Sequence, residues 1–320
     1  MKRLAEIIKP YLQLLRVGNL TFVAILLYVM EKWVATPLLQ LEQFGELMPW
    51  WILTLLIVSV VGIAAGGYVI NDYFDVKIDR INRPDQLIVT QYISKENAMR
   101  LSIGLSGVGM VCGLVAAWLL RSSTIAILFA IIPGLLWFYS SSYKRLLIIG
   151  NVTIALLSAL SPMMIAIANV AQLQLKYSTI LPYTTLEHDI YAWVGGFSLF
   201  AFLLTWIREI VKDLQDQMGD RELECHSMPI VWGNIVTKIV VTALIVLTTV
   251  LIGWFWYSLL PFDHSWQSFS TRYIVLAIII PLWGALWLLW AAKIPSDYRT
   301  CQQVLKLTMF LGMLYSFVLR

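Results

Sequence analysis

Long apolar stretches separated by short polar ones run along almost the whole chain. A helix needs about 20 mostly apolar residues to cross a bilayer. An open sheet edge cannot lie in hydrocarbon, so the spans are predicted to be helices. The pattern therefore predicts an all-α integral membrane protein of about nine transmembrane helices. They lie near residues 19–38, 48–70, 97–119, 123–142, 147–170, 191–211, 232–258, 272–292 and 302–319.

The N-terminal segment, residues 1–18, differs from the spans in mixing apolar residues with basic ones. No short apolar stretch is followed by a small-residue cleavage site, so we expect an amphipathic interfacial helix rather than a signal peptide. Together with the spans, it is predicted to form a single membrane domain, residues 1–320. The basic residues of this segment are Lys2, Arg3, Lys9 and Arg16.

Composition supports the membrane assignment. Hydrophobic residues make up 59% of the chain and charged residues only 13%, against about 25% charged residues in soluble domains. The mean hydropathy is +0.77. The three cysteines, Cys112, Cys225 and Cys301, are far apart, so we expect free thiols and neither a disulfide framework nor a zinc site.

The distribution of Lys and Arg predicts the orientation, because cytoplasmic loops of membrane proteins are enriched in them. With the N-terminus inside, sixteen of these residues fall on the inner side and four on the outer side. We therefore expect a multi-pass protein with its N-terminus in the cytoplasm and its C-terminus outside, in the inner membrane if the source is a bacterium.

Three aspartates at spacings of 0, +3 and +7 occur twice, each time at the end of a predicted span. On a helix these positions lie within about 60° of one another, so the carboxylates share one face and repel. A divalent cation is the simplest way to offset that repulsion, and Mg²⁺ prefers oxygen ligands. The first cluster is Asp72, Asp75 and Asp79, and the second is Asp213, Asp216 and Asp220.

Both clusters end spans that run toward the cytoplasm, so we expect them to meet at a central cavity open to that face. Metal ions bound there would hold a diphosphate, and nearby basic side chains would donate to its oxygens. Two other interpretations stay open, namely ordinary solvated helix ends and a sodium-coupled transporter. Transporter sites tend to lie at the bilayer midplane on interrupted helices. The candidate basic donors are Arg83, Lys144, Arg208 and Lys212.

The clusters belong to longer stretches that together run along nearly the whole chain. They are Arg16-x-x-Asn19, Asn71-Asp72-x-x-Asp75-x-x-x-Asp79 followed by Ile81-Asn82-Arg83-Pro84-Asp85, Tyr139-Ser140-x-x-x-Lys144-Arg145 followed by Gly150-Asn151, and Lys212-Asp213-x-x-Asp216-x-x-Gly219-Asp220-Arg221 followed by Ser227-Met228-Pro229. These motifs closely resemble the signatures of the UbiA-type membrane prenyltransferases.

The resemblance implies a UbiA-type helical bundle and a Mg²⁺-dependent reaction. An isoprenyl diphosphate would lose pyrophosphate, and a lipophilic acceptor would capture the allylic cation. The partners expected are these two substrates and the bilayer, with no nucleic acid. By the resemblance, metal and diphosphate are bound by Asn71, Asp72, Asp75, Asp79, Asp213, Asp216 and Asp220, and substrate by Asn19, Asn71, Arg83, Tyr139, Lys144, Arg208 and Lys212.

The sequence departs from the family pattern in both motifs. The first motif of the family commonly continues with Arg-Pro-Ile-Pro-Ser-Gly, whereas residues 86–91 here read Gln-Leu-Ile-Val-Thr-Gln, so a basic residue is missing. In the second motif, Gln215 stands where an acid is frequent and Cys225 stands where Gly is frequent. Within the family, the INRPD and GDRELECHSMPIV stretches look most like the branch of geranylgeranylglyceryl-phosphate geranylgeranyltransferases and chlorophyll synthases.

Three functions stay open at this point. The first is prenyl transfer to a geranylgeranylglyceryl-phosphate-like acceptor or a quinone precursor. The second is cyclisation or hydrolysis of the prenyl diphosphate at the same metal site. The third is non-catalytic binding or transport of polyprenyl phosphates, which predicts no release of pyrophosphate.

Overall fold

The computed structural model describes residues 2–258, 265 and 267–319, and helices account for most of this part of the chain. These residues contain no β-strand, only an isolated bridge between Val89 and Ile93. The predicted all-α class is therefore confirmed. The principal helices are α1 (Lys2–Leu14), α2 (Val17–Leu41), α3 (Trp50–Asn82), α4 (Lys95–Leu119), α5 (Ser123–Ser141), α6 (Ile149–Tyr177), α7 (Leu186–Glu222), α8 (Gly233–Ser258), α9 (Phe269–Ala291) and α10 (Pro295–Leu314).

Eight of these helices, α2 to α9, are long and apolar enough to cross a membrane. The ninth predicted span, residues 302–319, falls largely on α10, which also contains Lys306. The ninth crossing stays a prediction. Helix α1 lies in the segment predicted to be interfacial, of which Met1 lies outside the described residues. Its position at the membrane surface also stays a prediction.

The helices that carry the aspartate clusters extend well beyond the apolar spans predicted for them. Helix α3 continues to Asn82 and α7 to Glu222, so each cluster lies inside a continuous helix. Hydropathy marks the part of a helix that suits the bilayer, whereas the helix itself ends at a breaker. For α3 the breaker is Pro84, which disfavours helical geometry at Arg83. For α7 the backbone turns at Glu224, where φ is 53°.

The chain divides into two compact units. The first comprises Met1–Lys144 and Ser161–Ala192, and the second comprises Arg145–Leu160 and Trp193–Arg320. Helices α6 and α7 each contribute residues to both units. The prediction of a single membrane domain stays a prediction.

In the first unit, α3 and α4 approach each other closely through small residues. A Cβ atom added to Gly109 would lie 2.7 Å from the carbonyl oxygen of Ser59, and one added to Gly66 would lie 2.8 Å from that of Ser102. The Ser102 hydroxyl donates to the Gly66 carbonyl oxygen at 2.9 Å. Small residues and interhelical hydrogen bonds are how helices associate in a bilayer, where hydrophobic burial gives little net attraction.

The connection between α3 and α4 is held by a small apolar cluster. Leu87, Val89 and Ile93 of the connection are buried with Leu14, Val69 and Val76. The residues that depart from the family pattern after Gln86 are therefore partly core residues. Their burial fixes the chain directly after the first aspartate cluster.

A buried polar contact joins α2 to the part of α6 that belongs to the first unit. Glu31 lies in a π-helical turn, Met30–Ala35, and is fully buried. The side-chain amide of Asn169 donates to Glu31 Oε2 at 2.6 Å. This bond supplies a partner for a carboxyl group that lies inside a span.

In the second unit, α7 packs with α8, α9 and α10 around an apolar cluster that includes Leu204, Leu282 and Leu305. The ring of Phe200 lies against Gly312 of α10. The Asp297 carboxylate accepts bonds from the backbone N–H groups of Lys293 at 2.9 Å and Ile294 at 3.1 Å. These bonds lower the pKa of Asp297 and cap α10.

The α3–α4 contact gives a first prediction. Replacing Gly109 with Ala inserts a methyl group against backbone atoms, so we expect a loss of about 1–3 kcal/mol in the free energy of unfolding in mixed micelles. Gly104 of the same helix has open space around it. Gly104→Ala should therefore be neutral or slightly stabilising. Equal effects of the two substitutions would contradict the close packing.

Candidate functional site

The first aspartate cluster is already paired with basic and amide groups of the chain. Arg16 Nη2 donates to Asp72 Oδ1 at 2.7 Å. Asp75 forms an ion pair with Lys144 and accepts a hydrogen bond from Asn71 Nδ2 at 2.7 Å. The side chains of Asp75 and Lys144 are only 12% and 11% exposed. Most of the repulsion expected between the stacked carboxylates is thereby offset within the first unit.

Arg16 reaches the cluster from the junction of α1 and α2. Its backbone is left-handed, with φ 50° and ψ 51°, a conformation that is uncommon for residues other than glycine. Its guanidinium also lies 5.1 Å from the centre of the Tyr68 ring, a cation–π contact. A side chain held by an ion pair and a ring, on a strained backbone, is fixed in position beside Asp72.

The other predicted residues of this unit lie at the adjoining helix ends. Asn19 is in the first turn of α2, and its N–H donates to the Arg16 carbonyl oxygen at 2.7 Å. Arg83 follows the last turn of α3, and its N–H donates to the Asp79 carbonyl oxygen at 2.8 Å. Tyr139 is buried near the end of α5. Among the site residues predicted in the first unit, Asn71 and Lys144 both contact the Asp75 carboxylate.

The second cluster follows one face of α7. The amide of Asn151, near the start of α6, donates to Asp213 Oδ2 at 2.8 Å. Asp220 is buried near the end of α7, and its carbonyl oxygen accepts the N–H of Cys225 at 2.9 Å. Helix α7 thus presents its three carboxylates from a rigid, continuous segment of the second unit.

The two basic residues predicted beside this cluster share an acid that the sequence analysis did not select. Arg208 Nη2 lies 2.5 Å from Glu209 Oε1, and Lys212 Nζ lies 3.8 Å from Glu209 Oε2. Glu209 is buried. It precedes Asp213 by four residues, so it extends the acidic face of α7 by one turn. That spacing is a signal that could have identified it.

Two further residues that contact the aspartates were not predicted as their partners, although both belong to the sequence motifs named above. Arg16 opens the Arg16-x-x-Asn19 motif, and Asn151 closes the Gly150-Asn151 stretch. Their roles depend on which helices pack together, which the motifs alone do not specify.

The departure at Gln215 is explained by a contact with α10. Gln302 Nε2 donates to Gln215 Oε1 at 2.7 Å. An acid at this position would also accept that bond but would add a fourth negative charge to the second motif. The glutamine therefore links two helices without adding to the repulsion among the aspartates.

Neither cluster is arranged in advance as a complete metal cage. Among the described residues, no group of three or more His, Cys, Asp or Glu side chains is placed to hold a metal ion by itself. The carboxylates instead face cations and amides of the chain. A ligand that brings its own oxygen atoms would be needed to complete the coordination of a metal ion.

Comparison with known proteins assigns the family. A model of the UbiA prenyltransferase family matches residues 33–314. The chain belongs to the UbiA prenyltransferase family. The family and the enzyme class expected from the motifs are thereby confirmed, and the protein is a prenyltransferase of the membrane.

Individual UbiA relatives agree with this assignment. The digeranylgeranylglyceryl phosphate synthase of Sulfolobus acidocaldarius is 31% identical over 247 residues, covering 74% of this chain and 76% of that protein. That of Methanobrevibacter smithii is 27% identical over 318 residues, covering 97% and 95%. The similarity therefore extends over most of the length of each relative.

Solved structures of UbiA proteins share the fold. A structure described as a digeranylgeranylglyceryl phosphate synthase in membranes has a TM-score of 0.64 and 26% identity, and the match covers 98% of both chains. A UbiA homolog from Aeropyrum pernix K1 has a TM-score of 0.64 and 14% identity, with coverage of 92% and 98%. The UbiA-type helical fold is therefore confirmed.

The Lys144–Asp75 pair gives a second prediction. Lys144→Met leaves Asp75 largely desolvated without its cation, so we expect a loss of about 2–3 kcal/mol of unfolding free energy, somewhat below that for a fully buried pair. The double variant Asp75→Asn/Lys144→Met should recover most of that loss in the same micelle unfolding assay. An exposed pair provides the control: Arg100→Gln removes the partner of Glu96 and should cost less than about 1 kcal/mol. A double variant no more stable than the single one would contradict the prediction.

Proposed function

We propose that this UbiA protein transfers a prenyl group from an isoprenyl diphosphate to a lipophilic acceptor, with Mg²⁺ as cofactor and both aspartate clusters serving one diphosphate. The proposal rests on one observation: the two aspartate clusters have identical spacing, and each lies on a continuous helix. Each cluster is stabilised by cations or amides that a metal-bound diphosphate could replace.

The oxygen-rich donor set fits Mg²⁺. This ion is usually bound by one or two carboxylates, with water and substrate phosphate oxygens completing its octahedron, so a preassembled cage of three acids is not required. A UbiA homolog from Archaeoglobus fulgidus is described as bound to DMAPP and Mg²⁺, which supports the same pairing here. Bound Mg²⁺ would neutralise the diphosphate and favour its departure. The residues proposed to hold it are Asn71, Asp72, Asp75, Asp79, Asp213, Asp216 and Asp220.

The basic side chains have a defined part in this proposal. Arg16 and Lys144 now neutralise Asp72 and Asp75, and both can exchange these carboxylates for diphosphate oxygens when substrate binds. Charge-assisted hydrogen bonds from cations to phosphate are short and strong. Lys212 and Arg83 are proposed to contact the diphosphate as well, and Asn19 and Tyr139 to shape the substrate site.

For the acceptor we propose a geranylgeranylglyceryl-phosphate-like lipid. The support is the name shared by relatives such as the Sulfolobus acidocaldarius protein, digeranylgeranylglyceryl phosphate synthase. In such a transfer the acceptor hydroxyl oxygen bonds to C1 of the prenyl group, the C1–O bond to diphosphate breaks, and the hydroxyl proton leaves. We further propose that the site opens to the cytoplasm, with the N-terminus inside and the C-terminus outside.

Metal removal and acceptor choice test the reaction. Protein in nanodiscs is given geranylgeranyl diphosphate with Mg²⁺ or with EDTA, and release of pyrophosphate is measured with a glyceryl phosphate lipid, an aromatic acid or no acceptor. We expect release only with Mg²⁺, raised most by the glyceryl phosphate lipid. Acceptor-independent release would indicate the cyclase or phosphatase alternative. No release under any condition would favour the binder or transporter.

The first cluster gives a matched mutational prediction. Asp75→Asn keeps the size of the side chain but removes its charge. We expect turnover to fall by about 10²–10³-fold or more, because a carboxylate proposed to hold the Mg²⁺ that stabilises the departing pyrophosphate is lost. Glu96→Gln removes an exposed acid of α4 and should leave turnover unchanged. An Asp75→Asn variant that folds normally and retains most of its turnover would refute the assignment of this cluster.

A further inference from the structure

Helix α7 carries a basic flank beside its acidic face. Glu209, Asp213, Asp216 and Asp220 fall within about 60° of one another around the helix, whereas Lys212 and Arg208 lie about 100° and 140° from Asp213. Arg208 precedes Asp213 by five residues, about 7.5 Å along the axis toward the apolar body of α7. The flank is therefore displaced from the acidic face both around the helix and along it.

The guanidinium of Arg208 is held in place but is not fully bonded. Its Nη2 is fixed by Glu209 Oε1 at 2.5 Å, and the side chain is 24% exposed. Its Nε–H group is buried and has no hydrogen-bond partner among the described residues. A buried donor without an acceptor destabilises the folded protein. This N–H group is suited to donate a hydrogen bond to a ligand oxygen.

Charge identifies the kind of ligand. Lys212 is assigned to the diphosphate, whereas the cationic guanidinium of Arg208 keeps an N–H group without a partner among the described residues. Charge-assisted hydrogen bonds from such a group to phosphate oxygens are short and strong, so the site suits an anionic headgroup. The diphosphate is assigned to metal ions on the acidic face, and a second anion placed near it would be repelled unless it had a counter-charge of its own. The acceptor hydroxyl must also reach prenyl C1, which lies on the apolar side of the diphosphate. Arg208 is displaced from the acidic face in that direction.

We infer that Arg208, positioned by Glu209, binds the anionic headgroup of the prenyl acceptor and selects acceptors that carry a phosphate. This inference rests on the proposed function and specifies the acceptor part of the same site. Arg208 touches the acceptor, and Glu209 acts through Arg208 as a positioning residue.

Binding without turnover provides the test. In EDTA and without prenyl diphosphate, the dissociation constants of geranylgeranylglyceryl phosphate and of its neutral dephosphorylated form are measured from tryptophan fluorescence in nanodiscs. We expect the wild-type protein to prefer the phosphate lipid by about ten- to hundredfold, as for hydrogen bonds to charged groups. Arg208 is here assigned to the acceptor and no longer to the diphosphate. Arg208→Gln should therefore abolish the preference and weaken binding of geranylgeranyl diphosphate with Mg²⁺ far less.

Two further variants keep the test decisive. Arg100→Gln removes an exposed arginine that is also paired with a glutamate, and it should not change the preference. If Arg208→Gln does not fold, Arg208→Lys replaces it, because lysine keeps the charge but lacks the Nε donor and the planar fork. The preference should then fall about three- to tenfold.

The inference is overturned if the wild-type protein shows no preference for the phosphate lipid, or if Arg208→Gln weakens diphosphate binding as much as acceptor binding. Its failure can be separated from failure of the proposed function. Mg²⁺-dependent prenyl transfer to a neutral or aromatic acceptor would leave the transferase standing without this site. Absence of transfer to every acceptor would remove the proposed function itself.

Discussion

Carboxylates stacked at one-turn intervals on a helix repel each other. This protein contains that arrangement twice and supplies a counter-group from another segment in each case. Arg16 and Lys144 pair with Asp72 and Asp75 of the first cluster, and Asn151 donates to Asp213 of the second. These contacts offset part of the repulsion within each cluster. Under the proposed function, each cluster would exchange a protein partner for a metal-bound anion.

Packing elsewhere in each unit holds the helix that carries its aspartate cluster. In the first unit, the close contact of α3 with α4 and the buried residues of the connection at Leu87 and Val89 fix both sides of the Asp cluster. In the second, the bond between Gln302 and Gln215 ties α7 to α10 beside the aspartates. Packing thus accounts for the apolar residues at 87 and 89 and an interhelical bond for Gln215, and all six aspartates are retained.

The sequence could predict the features that depend on local periodicity. Apolar length predicted nine spans, and eight of the described helices are long and apolar enough to cross a membrane. The 3.6-residue repeat placed each set of aspartates on one helical face. The continuation of α3 and α7 through the polar motifs was missed because hydropathy reports suitability for lipid, not where a helix ends. Arg16, Asn151 and Glu209 were missed as partners because their contacts arise from tertiary packing. Only Glu209 had a local signal, its position one turn before Asp213 on the acidic face.

The central claim is that two clusters on separate helices bind one diphosphate. Calorimetric titration with a non-reactive geranylgeranyl thiodiphosphate in Mg²⁺ tests it most directly, using the wild-type protein, Asp75→Asn, Asp213→Asn and the double variant. The account predicts one ligand per chain, a large loss of affinity in each single variant, and a double variant whose loss is well below the sum of the two, as expected for residues that act on a shared ligand. Two ligands per chain, or losses that simply add, would contradict it.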